Sequence, residues 1–255
     1  MAAEKQVMVI GADDSEESHY ALEWTLDHFF KPLGGDTAPF KLIIVYAKPS
    51  VSAVVGFAGP GAAEVLPIVD SDLKKMAARV TEKAKEFCAS KSVTDVVAEV
   101  VEGDARNVLC EAVERHHASI LVVGSHGYGA IKRAVLGSVS DYCTHHAHCT
   151  VMIGASGKRK RLLRSSRSLH RDDCEEAKNQ ALSGLWVTDV VVEVMEGDAR
   201  NVLCEAAERH HASILVVGSH GYGAIKRAFL GSVSDYCAHQ AHCTVMIVKK
   251  PKTKH

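Results

Sequence analysis

Apolar residues along the chain fall into two kinds of run. Val7–Gly11, Lys41–Ala47, Val96–Val101, Ile120–Val123 and Thr150–Ile153 are short and almost continuously apolar. That is the pattern of strands covered on both faces. Between them lie longer stretches with helical spacing. Ala21, Leu22, Leu26 and Phe29 share one face of Glu16–Phe30, which Asp14 or Ser15 can cap. Pro32-Leu33-Gly34-Gly35 breaks that helix. Val51–Pro67, rich in Gly, Ala and Pro, reads as a loop, and Ser71–Ser90 as a helix capped by Ser71. Gly103-Asp104-Ala105 opens a helix through His116, and Ser138–His145 lies in another. Strands alternating with helices predict an α/β fold with a doubly wound, five-stranded parallel sheet.

The pattern then repeats. Val93–Ile153 aligns without gaps on Val187–Ile247 at an offset of 94, and only six of 61 positions differ. Two long copies are not a solenoid. They read as duplication of the C-terminal half of a domain, because the second copy has no counterpart of Val7–Ala47. The expected organisation is a complete domain over 1–153, a connector over 154–173 and a partial α/β repeat over 174–255. The connector carries Lys158, Arg159, Lys160, Arg161, Arg164, Arg167 and Arg171 before its first acidic residue, Asp172. It reads as a solvated tether, with nuclear localisation as the alternative. A partial tandem duplication or a mis-joined gene model would account for the abrupt junction.

Composition narrows the function classes. The formal net charge is −1, which gives no reason to expect nucleic acid or an anionic membrane as partner. No apolar run reaches bilayer length, and no signal-peptide core follows Met1, so a cytoplasmic protein is expected. None of the eight cysteines forms a C-x-x-C pair, and they read as small buried hydrophobes.

The candidate chemistry lies after the fourth strand. Gly124-Ser125-His126-Gly127 is followed nine residues later by Gly137-Ser138-Val139-Ser140, with Tyr128, Gly129 and Ala130 between. Glycines let a backbone approach a ligand closely. A helix that starts at Gly137-Ser138 offers free N–H groups to an anion. The loop sits at the carboxyl end of a parallel strand, where open α/β sheets bind ligands. Asp13, next to Ala12 at the end of the first strand, could accept from a ribose hydroxyl or an adenine amine. No P-loop and no dinucleotide fingerprint is present.

These residues resemble the universal stress protein family across Val7–Ile153. The resemblance is carried by Asp13-Asp14-Ser15, Ala21-Leu22-x-Trp24, Glu102-Gly103-Asp104, Gly124-x2-Gly127-x9-Gly137-Ser138 and the final His-Cys-Thr-Val-Met-Ile strand. The wording is most similar to plant members. It implies a Rossmann-like fold of the adenine nucleotide alpha hydrolase type, with strand order 3-2-1-4-5. It implies that the glycine-serine motif holds the ribose and phosphates of ATP, with AMP or ADP as alternatives and magnesium as an accompanying ion. Asp13 and Ala47 would contact the adenosine end, although Ala47 is smaller than the family's usual aliphatic. The family often dimerises through the edge of its fifth strand, which here implies a homodimer, or an intramolecular pseudo-dimer of Thr150–Ile153 with Thr244–Val248.

The second copy keeps Gly218, Gly221, Gly231 and Ser232 but has no equivalent of Asp13. Its site is expected to be degenerate, giving one nucleotide per chain. No metal site is expected: His116-His117 and His145-His146-x-His148-Cys149 lack paired zinc spacing, and His146 becomes Gln240 in the copy. A nucleotide binder is the leading reading. A slow ATP hydrolase or autophosphorylating protein would need a base that is not evident and cations such as Lys132 or Arg133. A chaperone-like protein with a vestigial site is the third reading.

Overall fold

The computed structural model describes residues 5–51, 62–125, 139–154, 190–219 and 233–249, with side chains from Leu66 onward in the second stretch. The N-terminal unit runs β1 (Gln6–Gly11), α1 (Glu16–Thr25), β2 (Phe40–Lys48), α2 (Ala62–Ser90), β3 (Val96–Glu102), α3 (Ala105–Arg115), β4 (Ile120–Gly124), α4 (Val139–His146) and β5 (Thr150–Gly154). The repeat contributes α5 (Ala199–Arg209), β6 (Ile214–Gly218), α6 (Val233–Gln240) and β7 (Thr244–Val248). The seven strands among the described residues form one sheet in the order β3-β2-β1-β4-β5-β7-β6. Its first five strands are parallel and follow the expected order.

Alternation along each strand divides the core. Val9, Ile43, Val45, Leu121, Val123, Val151 and Ile153 point to the face covered by α3 and α4. Met8, Ile10, Leu42, Ile44, Val122 and Met152 point to the face covered by α1 and α2. On α2, Ala77, Val80, Ala84 and Cys88 are buried at helical spacing.

Two local expectations need correction. The first helix does not stay α-helical to Phe30: a π turn covers Leu26–Phe30 and brings both of these side chains into the core. Helix α2 starts earlier than Ser71 and takes in Pro67. A proline so near a helix start removes one intrahelical hydrogen bond, and the long apolar stripe beyond it still packs.

The repeat joins through its last strand. β5 and β7 pair antiparallel, with Val151 opposite Ile247, Met152 opposite Met246 and Ile153 opposite Val245. The offset of 94 makes Met246 the copy of Met152, so the pairing has a local two-fold axis at that residue. This is the geometry of an isologous dimer interface inside one chain. Val217, Val245, Ile247, Cys237 and Ala241 continue the first face of the core.

The counterpart of β3 is not a strand. Residues 190–196 have no regular structure, and Val191, Val192 and Val194 are 72%, 62% and 96% exposed. β3 exists because β2 pairs with it from Leu42↔Val96 to Lys48↔Glu102. Among the described residues, the repeat has no second strand to offer its copy.

Candidate functional site

The sheet register brings part of the expected site together. Gly11 is level with Val45, Ile10 with Val122, and Gly124 with Gly154. Ala12 and Asp13 therefore leave β1 alongside Ala47 of β2 and Gly124-Ser125 of β4. In a sheet ordered 3-2-1-4-5 the strand order reverses between β1 and β4, and a crevice opens there.

The turn after β1 is built from its own polar groups. The Asp13 N–H donates to Ser18 Oγ at 3.0 Å, and the Ser15 N–H donates to Asp13 Oδ1 at 2.9 Å. The Ser15 hydroxyl also donates to Asp13 Oδ1. Ser15 caps α1 by accepting from the Ser18 N–H at 3.1 Å. Ser125 is anchored by its N–H to Gly154 O at 2.9 Å, and Ala12 by its N–H to Val45 O at 2.9 Å. Ser140 is buried in the first turn of α4, and Val139 packs partly on the core. The Asp13 side chain remains exposed while one of its oxygens holds the turn.

Two pairs at this end of the sheet were not singled out from sequence. Asp14 binds Arg79 Nη2 at 2.6 Å and Lys83 Nζ at 3.7 Å, tying the turn to α2. Lys48, 6% exposed, is held by Glu102 at 2.8 Å and Asp70 at 3.0 Å. Those hydrogen bonds, Glu102 first, raise its pKa. Its charge is already matched within the fold, so Lys48 is not a spare phosphate ligand. Burial, and then the Asp13 and Asp14 carboxylates, push the Tyr46 phenol up. Arg79 is 65 residues from Asp14, and nothing local in the sequence links them.

A cleft of about 940 Å³ opens beside this turn, between α1 and α2. Asp13, Ser15, His19, Val80, Lys83 and Phe87 are on its walls, whereas Ala47, Ser125 and Ser140 are not. The cleft is therefore next to the crevice at the strand ends, and the strand ends carry the motif residues. His126, Gly127, Tyr128, Gly129, Ala130, Gly137 and Ser138 lie outside the described residues, as do Lys132 and Arg133.

The equivalent position in the repeat differs sharply. A Cβ on Gly124 would lie 2.7 Å from Glu17 C and 2.8 Å from Ser18 N, in the first turn of α1. A Cβ on Gly218 would meet nothing within 4 Å. Gly218 thus ends a strand with no α1 beside it. Gly221, Gly231 and Ser232 lie outside the described residues. Each described cysteine is a free thiol. Among the described residues, no helix is long and apolar enough to cross a membrane.

The model of the universal stress protein family matches residues 5–153 and again 155–249. The chain belongs to the universal stress protein family. Among curated relatives, it is 31% identical over 169 residues to the universal stress protein PHOS34 of Arabidopsis thaliana, covering 60% of this chain and 62% of that one. It is 29% identical over 170 residues to PHOS32 of the same plant, covering 60% and 65%. The chain thus spans somewhat under two thirds of the length of these relatives. Among solved structures, a universal stress protein from Archaeoglobus fulgidus superposes with a TM-score of 0.65 over 97% of both chains at 18% identity, a likeness of fold.

Proposed function

We propose that this chain is a nucleotide-responsive module of the stress response that binds one adenine nucleotide, ATP in the first place and AMP or ADP in its stead. The observation that supports this most is the register that sets Asp13, Ala47 and Gly124-Ser125 side by side at the reversal point of the sheet. The adenosine end would meet Asp13 and Ala47. The ribose and phosphates, with magnesium, would meet the glycine-serine loop from Gly124 to Ser140. The complete binding unit is residues 1–153, with 154–173 as a tether and 174–255 as a partial repeat. The repeat's loop is proposed to be degenerate, because a motif without Asp13, β1 and α1 has only the phosphate half of a site.

Occupancy can act on conformation only through a difference in affinity between two states. Extraction of nucleotide from the purified chain, with stoichiometry, tests the reading. The expected yield is one adenine nucleotide per chain, together with an ATP-induced rise in Tm that Gly127→Val plus Gly137→Val removes. A yield of two per chain would overturn the inequality of the loops, and an unchanged rise in the double variant would overturn the site.

A further inference from the structure

The join between the two copies creates a group of side chains that neither copy has alone. Each copy carries Asp-Tyr-Cys-x-His in a short helix: Asp141 and His145 on α4, Asp235 and His239 on α6. The two-fold pairing of β5 with β7 lays these helices on the same face of the sheet. There one carboxylate oxygen of Asp141, one of Asp235 and one ring nitrogen of His239 all lie within 4.8 Å of one another, and all three residues are part-buried.

We propose that Asp141, Asp235 and His239 form a binding site for a divalent transition-metal ion of the zinc type, with ligands drawn from both copies. Two carboxylates and one imidazole are a usual donor set for such an ion, and a water would complete a tetrahedron. The His239 Nδ1 lies 3.5 Å from Asp235 Oδ1 and 2.8 Å from the Asp235 carbonyl oxygen four residues back, which holds the imidazole against Asp235.

A first-turn aspartate has an ordinary reason to exist, since it interacts well with a helix N-terminus. That reason does not require two of them to converge. The site is absent from either repeat read singly, because Asp141 and Asp235 are 94 positions apart.

Cobalt titration of the full chain, stripped of nucleotide and metal, is the test. One Co²⁺ per chain is expected, with visible d–d bands but without the near-ultraviolet charge transfer of a thiolate. Zinc should displace it. Asp141→Asn with Asp235→Asn should abolish the bands, and His239→Gln should weaken them. His148→Ala, outside the group, should leave them unchanged. Zinc should raise the Tm of the parent and leave that of the asparagine pair unchanged. No stoichiometric binding near neutral pH, a thiolate spectrum, or binding that survives in the asparagine double variant would each overturn the proposal.

Discussion

Gly124 and Gly218 are the same residue in the same sentence of sequence, with different physical roles. The first turn of α1 crosses β4 so closely that a methyl on Gly124 would collide with backbone at Glu17 and Ser18. Backbone cannot swing aside as a side chain does. Gly124→Ala should therefore destabilise the chain by about 1–3 kcal/mol, the usual cost of overpacking. Gly218→Ala should change stability by no more than about 0.5 kcal/mol, since nothing stands near it. Urea unfolding of the two variants checks both. At this scale the sequence reveals a glycine motif and Asp13 but not what each glycine clears. Spacing marks where a backbone turns; the neighbour that forbids a Cβ comes from elsewhere in the chain. Asp36 is a similar case. It accepts from the N–H and hydroxyl of Thr94 and from the N–H of Asp95, across more than fifty residues. These bonds, the Thr94 hydroxyl first, lower its pKa below the ordinary 3.8. A lowered carboxyl pKa adds stability above the unfolded value that is lost as pH falls through the folded one. The acid limb of a Tm–pH profile below about pH 3.8 should accordingly flatten in Asp36→Asn.

The elements show how far local sequence decides structure. Residues 96–102 and 190–196 differ only at Ala98/Val192 and Val101/Met195, yet the first is a strand and the second is not. Both are β-branched and apolar enough to pair. The strand forms only where β2 is present, because a strand without a partner cannot satisfy its backbone. Pattern alone therefore recovered five strands in the N-terminal unit, where each strand found its neighbour, whereas their order came with the family resemblance. The same pattern over 190–196 forms no strand, because among the described residues it meets no such neighbour. The π turn at Leu26–Phe30 was equally hidden, since it depends on the core that receives Phe30. Hydrogen exchange should separate the two copies: amides of Val96–Glu102 that bond to β2 should be protected, and those of 190–196 should exchange at nearly unfolded rates. The two sequence differences let their peptides be told apart by mass. Protection in both segments would mean that the repeat finds another partner for its third strand.

At the scale of the whole chain, the repeat lies along the sheet edge of the N-terminal unit. A fifth strand at the edge of a parallel sheet offers unpaired N–H and C=O groups to any matching strand. Here β7 takes that edge, residue for residue, through the copy of β5 itself. Because it is tethered, it competes at a high effective concentration with strands from other molecules. The joint depends on Val151, Val245 and Ile247, each no more than 1% exposed. A carboxylate at position 247 would be buried beside Val151 without a partner, at a cost of several kcal/mol. Ile247→Asp should therefore release β7 and leave the N-terminal unit folded, with its own core of Met8, Ile10, Leu42 and Ile44 intact. The freed β5 edge should then pair with the β5 edge of a second molecule by the same two-fold register. Sedimentation should show a larger species for Ile247→Asp than for the parent at the same concentration. If the parent is already the larger species and Ile247→Asp reduces it, the repeat assembles molecules with one another instead of closing the edge of its own.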